Sequence, residues 1–166
     1  MNIGIIGHEA AKFTPATTAK ALHEIEGIIR AAYARDLHTT VVSGHCHLGG
    51  IDIWAEEMAD RLGSLKLIFP PAHQRWEPDG YRARNIRIAE TSDIVYNIVV
   101  SKLPETYSGM RFKCCYHCDR PQRKHIQVAN TQCAHPADAD HIKSGGCWTA
   151  WYALEKCGKP ARWIVL

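Results

Sequence analysis

Thr39–Leu62, TTVVSGHCHLGGIDIWAEEMADRL, passes from a β-branched run through glycines into an amphipathic stretch. Thr39–Ser43 reads as a strand and Ile51–Leu62 as the helix that follows it, stopped at Gly63. The same grammar returns in His141–Leu166, HIKSGGCWTAWYALEKCGKPARWIVL. There Gly145 and Gly146 lead into a helix over Gly146–Cys157, and Arg162–Leu166 is a last apolar strand. A glycine-rich loop between strand and helix lets backbone N–H groups approach an anion at the positive end of the helix dipole. Two such loops predict a cradle for a phosphorylated small molecule.

The same pattern extends outward from these stretches. Asn2–Ile6 is a strand ending at Gly7, and Thr14-Pro15 starts a helix that runs to about Arg35, with proline tolerated in the first turn. Ala19, Leu22, Ile25, Ile28, Ile29, Ala32 and Tyr33 mark its apolar face. Leu65–Phe69 is a short strand closed by Pro70-Pro71, Arg82–Glu90 is helical, and Asp93–Val100 is another apolar strand. Short, continuous apolar strands alternating with helices predict an α/β domain with a doubly wound, Rossmann-like parallel sheet covered on both faces.

At 166 residues the chain has the size of one domain with a sizeable core. Its hydrophobic fraction (46%) and charged fraction (22%) are those of an ordinary globular chain. A formal net charge of +3 is too small to indicate a nucleic-acid partner without clustering. No run is long or apolar enough for a membrane span. The start, MNIGIIGHEAAKF, lacks the basic opening and long apolar stretch of a signal peptide. A cytoplasmic protein is expected, so its seven cysteines need another explanation than disulfides.

Cys46, Cys147 and Cys157 are scattered through the strand–helix units, which points to packing. Cys114, Cys115, Cys118 and Cys133 crowd the segment from about Lys102 to Asp140, which has little periodicity and carries prolines, histidines and basic residues. A compact domain rarely keeps so long an irregular loop without its own organising centre. Cys115-Tyr-His-Cys118 is a C-x-x-C knuckle, and Cys133-Ala-His135 follows after a spacer. These four are the expected ligands of a structural zinc, which would supply the folding energy that this thin apolar content cannot. The second pair has one intervening residue where two are usual, which leaves Cys114, His117, His125 and His141 as alternates. Reduced surface thiols and solvated histidines are the plain alternative. The domain is thus read as residues 1–166, with 102–140 as a zinc-binding insertion. Between the cysteine pairs, Arg120, Arg123 and Lys124 form a basic patch that reads as a solvated loop or as a contact to a phosphate backbone.

The block VVSGHCHLGGIDIWAEEMADRLG resembles the strand, SGG, GxD, helix unit of the SLOG superfamily. Those Rossmann-like proteins include the LOG phosphoribohydrolases, the DprA recombination mediators and YspA/YpsA-related proteins. PPAHQRWEPDGYRARNIRIAETSDIVYNIV is similar to the YspA-type block with its Arg-Asn pair, and SGGCWTAWYALEKCGKPARWIVL to the closing GG-x-x-T, helix, Gly-Lys-Pro, strand. The resemblance implies glycine loops that bind a nucleotide or a nucleotide derivative, and helix-mediated pairing into a homo-oligomer. Its matching positions are Gly44, Gly49, Gly50 and Asp52, then Arg84 and Asn85, then Gly145, Gly146 and Thr149. In that setting Thr149 would hold phosphate oxygens and Arg84 would offer a bidentate fork. Asp52 would accept from a ribose hydroxyl, or cap its helix. The LOG motif PGGxGTxxE places a catalytic glutamate where this chain has Tyr152, and Trp148 replaces its third glycine. A phenol cannot do a carboxylate's acid–base work.

Gly7 and His8, after strand one, join the expected ligand-binding set, because doubly wound sheets place ligands at the carboxyl ends of their strands. His8, His45 and His47 would converge there if the first two strands are neighbours, giving a second metal site or a general base; otherwise they are polar loop residues. Among the tryptophans, Trp54, Trp148, Trp151 and Trp163 are expected mainly in packing. Trp148 is placed to stack on a base, and Trp76 to line the cleft. The leading expectation is a nucleotide-binding sensor or carrier. A nucleotide-processing hydrolase in the same cleft is the alternative, and a DprA-like nucleic-acid-binding protein a second one.

Overall fold

The computed structural model describes residues 1–109 and 144–166. These form a five-stranded, all-parallel sheet of order β3-β2-β1-β4-β5. The strands are β1 (Asn2–Gly7), β2 (Thr40–Ser43), β3 (Leu65–Ile68), β4 (Ile94–Val99) and β5 (Ala161–Val165). The helices are α1 (Pro15–Tyr33), α2 (Ile51–Leu62), α3 (Tyr81–Thr91) and α4 (Gly145–Glu155), with one 3₁₀ turn at Ala10–Lys12. This is a Rossmann-like α/β architecture.

Local signals set the start of α1, the end of α2 and the start of α4. Pro15 opens α1 behind a capping box, in which the Thr17 N–H donates to Thr14 Oγ1 at 3.2 Å and the Thr14 N–H to Thr17 Oγ1 at 2.8 Å. Ala21, Ile25, Ile29 and Ala32 form its buried stripe at the spacing of one helix face. Burying Ile25 and Ile29 contributes about 1.5–3 kcal/mol each, more than a cap at about 1 kcal/mol. Gly63 stops α2 with a left-handed φ of 69°. Ser144 caps α4, its Oγ accepting the Cys147 N–H at 3.1 Å.

The two faces of the sheet carry separate cores. Ile3, Ile5, Val41 and Ile98 pack against α1 and α2 on one side. Ile6, Val42 and Val95 pack against Ile88 and Ala89 of α3 and Ala150 and Ala153 of α4 on the other. Leu103 and Tyr107, at the start of the expected insertion, are buried in the first of these cores. The expectation of strands covered on both faces fails at β3. It is an edge, with Leu65 60% and Leu67 37% exposed, and Lys66 between them pairs with Asp60. A short edge strand carrying lysine resists pairing with another sheet.

The chain passes from β1 to β2 on one side, and from β3 across to β4 on the other. The strand order therefore reverses between the neighbours β1 and β4, and a crevice opens at their carboxyl ends. No helix among the described residues is long and apolar enough to cross a membrane.

Candidate functional site

A cavity of about 510 Å³ occupies that crevice. Its floor includes Ile6, Gly7 and His8 from the end of β1, and one wall is the start of α4 from Ser144 to Thr149. Gly7 is required here by contact: a Cβ on it would lie 2.0 Å from the Ile98 carbonyl oxygen. Asp52 of α2, Arg84 and Asn85 of α3, and the side chains of Trp76 and Tyr107 complete the enclosure.

Arg84 is held rather than loose. Its Nη1 donates to the Gly44 carbonyl at 3.1 Å and its Nε to Asn85 Oδ1 at 3.0 Å. The guanidinium lies 4.9 Å over the Tyr81 ring, and Nη1 is 3.8 Å from Asp52 Oδ2. Asn85 in turn donates through Nδ2 to the Gly145 carbonyl at 3.2 Å. A single polar chain thus ties the loop after β2 to the start of α4. Guanidinium offers five N–H donors, and the described residues take two of them. Burial pushes the Asp52 carboxyl above its ordinary range, opposed by the Arg84 charge.

The two glycine loops meet this cavity differently. Gly50 has φ 86° and ψ −147°, a region that only glycine visits freely. A Cβ there would lie 2.3 Å from the His8 carbonyl oxygen and 2.6 Å from the Ala10 nitrogen. The Ile51 N–H at the head of α2 donates to that His8 carbonyl at 3.1 Å. The first N–H of α2 thus braces the loop after β1. Gly49, with φ 72°, closes the preceding turn by donating its N–H to the Cys46 carbonyl. Gly44, Gly49 and Gly50 do not line the cavity, although Cys46 and Leu48 of the same loop do, whereas Gly145 and Gly146 line it. At α4, Gly145 and Gly146 carry N–H groups that a helix cannot satisfy internally. Gly146 lies against the backbone of Gly7 and the amide of Asn97, where a Cβ would come 3.1 and 2.8 Å away. Asn97 is fully buried, and its amide has no hydrogen-bond partner among the described residues.

Other expected positions differ in what they do. Gly50, not Asp52, is the N-cap residue of α2, so Asp52 does not cap. Its carboxylate accepts the Cys46 backbone N–H and faces Arg84. Thr149 lines the cavity, but its hydroxyl donates to the Gly145 carbonyl at 2.8 Å, which occupies the proton a phosphate would need.

The three histidines are not brought together. His8 is 1% exposed, accepts the Val100 N–H at Nδ1 (3.4 Å) and lies edge-on to Phe13. His45 donates from Nδ1 to Glu56 at 2.8 Å, while the Ser43 hydroxyl donates to the other Glu56 oxygen at 2.5 Å. That buried carboxylate holds His45 in a left-handed conformation, φ 50°. His47 Nδ1 pairs with the Tyr81 hydroxyl at 2.9 Å. Each ring has a separate anchor, set by a different element.

The sequence sets Glu9 near the mouth of the cleft, beside the histidines; it gives no sign of Lys12 and Tyr107 at the far end of the cavity. Glu9 follows β1, and the Tyr107 hydroxyl donates to its Oε1 at 2.7 Å. Lys12, 6% exposed, places its ammonium 5.6 Å from the Tyr107 ring. The only signal for Glu9 was its position after strand one. Tyr152, which stands at the LOG glutamate position, does not line the cavity; it stacks on Trp148 at 5.1 Å.

His73, Glu77 and Asp79, in the loop before α3, are close enough to hold a metal ion. His73 Nε2 already lies 2.9 Å from Asp79 Oδ1, which draws the Asp79 carboxyl below its ordinary range, so a hydrogen bond accounts for the pair. Cys46 and Cys157 are free thiols, and Cys147 is buried in the core. The expected zinc ligands Cys115, Cys118, Cys133 and His135, their alternates Cys114, His117, His125 and His141, and the basic residues Arg120, Arg123 and Lys124 lie outside the described residues. No family model, curated protein or solved structure matches the chain.

Proposed function

We propose that this chain binds a nucleotide or a nucleotide derivative in the cavity at the β1–β4 reversal, as a sensor or carrier. The observation that carries the reading is the convergence of Arg84, fixed by Gly44 and Asn85, with the Gly145–Gly146 start of α4 on one cavity. Oriented N–H groups at a helix start and an anchored guanidinium are complementary to phosphate. The volume, about 510 Å³, is that of a small-molecule pocket. The SLOG resemblance points the same way. Native mass spectrometry of untreated protein, compared with its denatured mass, tests the reading. A nucleotide-sized adduct supports it; failure to bind any nucleotide added at millimolar concentration contradicts it.

Hydrolysis in the same cleft is the second reading, favoured by Glu9. Its carboxylate lines the cavity and is oriented by Tyr107, as a general base requires. Turnover of a nucleotide panel that is lost in Glu9→Gln would select it over binding alone.

The cysteine–histidine spacing supports a structural zinc on Cys115, Cys118, Cys133 and His135, and reduced thiolate ligands fit a cytoplasmic setting. One equivalent of zinc in the purified protein, lost in Cys115→Ser, is the expected result. A homo-oligomer is proposed on the resemblance alone, and sizing by light scattering decides it. Nucleic-acid binding through the 120–124 patch is not favoured, since the net charge of +3 gives it little field.

A further inference from the structure

The outer side of α4 carries Trp148 and Trp151 outside both cores, with Tyr152 at the margin of the second. Trp148 stacks on Tyr152 with ring centres 5.1 Å apart and planes at 26°, and Trp151 lies 6.0 Å from Trp148. Trp76, from the loop before α3, stands edge-on to Trp148 at 5.2 Å and is 39% exposed. These rings enclose a second cleft of about 370 Å³, with Glu77, Arg82 and Lys156 at its rim. Trp76 is a wall of both this cleft and the main cavity. Its ring lies 3.6 Å from where a Cβ on Gly145 would sit, and Trp148 follows Gly145 by less than one helical turn, about 4.5 Å of rise.

We propose that this aromatic cleft is the base-binding subsite of the same ligand, so that a nucleotide lies across Trp76 with its phosphate at Gly145–Gly146 and Arg84. The proposal rests on the phosphate reading above and adds where the base sits. Trp76, Trp148, Trp151 and Tyr152 line the cleft with aromatic surface, and Lys156 Nζ lies 5.6 Å from the Trp151 ring centre; a purine or pyrimidine finds there the aromatic contacts that base binding uses. The rim supplies what a base edge needs: a carboxylate at Glu77 to accept from ring or amino N–H groups, and cations at Arg82 and Lys156 to donate to ring nitrogens or carbonyls. A bare sugar phosphate would use the cavity and leave the cleft empty. The cleft therefore discriminates nucleotides from sugar phosphates.

Calorimetric titration of ribose 5-phosphate, adenosine and AMP, on wild type and on Trp151→Ala, separates the two claims. Trp151 lines the cleft and not the main cavity. In wild type AMP binds about tenfold or more tightly than ribose 5-phosphate, and adenosine quenches tryptophan fluorescence. In Trp151→Ala the AMP advantage falls to about threefold or less, while ribose 5-phosphate affinity stays within about twofold. Trp151→Phe, which keeps a ring, retains most of the advantage and guards against misfolding. An AMP advantage unchanged in Trp151→Ala overturns the subsite. Ribose 5-phosphate that fails to bind wild type overturns the phosphate reading instead, and adenosine, which needs no phosphate cradle, still reports on the cleft. Adenosine that neither binds nor quenches overturns the subsite.

Discussion

The loop before α2 and the loop before α4 share a sequence pattern and do opposite work. The first is turned inward: Gly50 presses on the His8–Ala10 backbone, and the head of α2 donates to a carbonyl of the neighbouring loop. The second is turned outward, with Gly145 and Gly146 on the cavity wall beside Arg84 and Asn85. A glycine-rich helix start is therefore not by itself an anion site. What distinguishes the two is whether the protein's own backbone has already taken the N–H groups.

The largest effect expected from breaking this contrast is on stability, at the inward loop. Gly50→Ala meets backbone on one side and an unfavourable φ/ψ region on the other, and is expected to lose about 3 kcal/mol. Gly146→Ala, which meets the Asn97 amide and the Gly7 backbone, is expected to lose about 1–3 kcal/mol. Gly145→Ala meets only side-chain atoms, and its stability changes by less than about 1 kcal/mol. Urea denaturation of the three measures the order; a Gly145→Ala loss equal to that of Gly50→Ala breaks the distinction.

Binding should rank in the other direction. Arg84→Ala removes the anchored cation and is expected to weaken AMP by about 10- to 150-fold, the range of a charge-assisted hydrogen bond. Arg84→Lys, which cannot span Gly44, Asn85 and a phosphate together, recovers only part of it. Calorimetry with AMP measures both.

A smaller effect concerns Asp52. Its folded carboxyl holds its proton more tightly than the unfolded chain does, because it is buried. Folding therefore takes up a proton between about pH 4, the unfolded value, and the raised folded value. Stability is highest below that window and falls as pH rises through it. Asp52→Asn removes this dependence, so its melting temperature should decline less than that of wild type between pH 4 and 7. Parallel slopes would mean Arg84 already keeps Asp52 charged at low pH.

Local patterns carried the elements and not the partnerships. The boundaries of α2 are visible in the sequence because Gly50 and Gly63 bracket an apolar stripe. The edge position of β3 was not, since LKLIF is as apolar as a buried strand and only the strand order exposes it. In the site, the α4 glycines were legible in the strand–glycine–helix pattern, and Arg84 only through the SLOG resemblance. The pairing of Glu9 with Tyr107 joins residues 98 positions apart, and no periodicity encodes that. The histidines' partners were hidden for the same reason: proximity to strand ends says nothing of which carboxylate or hydroxyl each ring will find.

Hydrogen–deuterium exchange of the intact protein with and without saturating AMP tests the contrast most directly. The account predicts slowed exchange in peptides covering 144–150 and 81–85, with the Gly49 and Ile51 amides unchanged because the Cys46 and His8 carbonyls already hold them. Protection confined to 47–52, or none in 144–150, would contradict it.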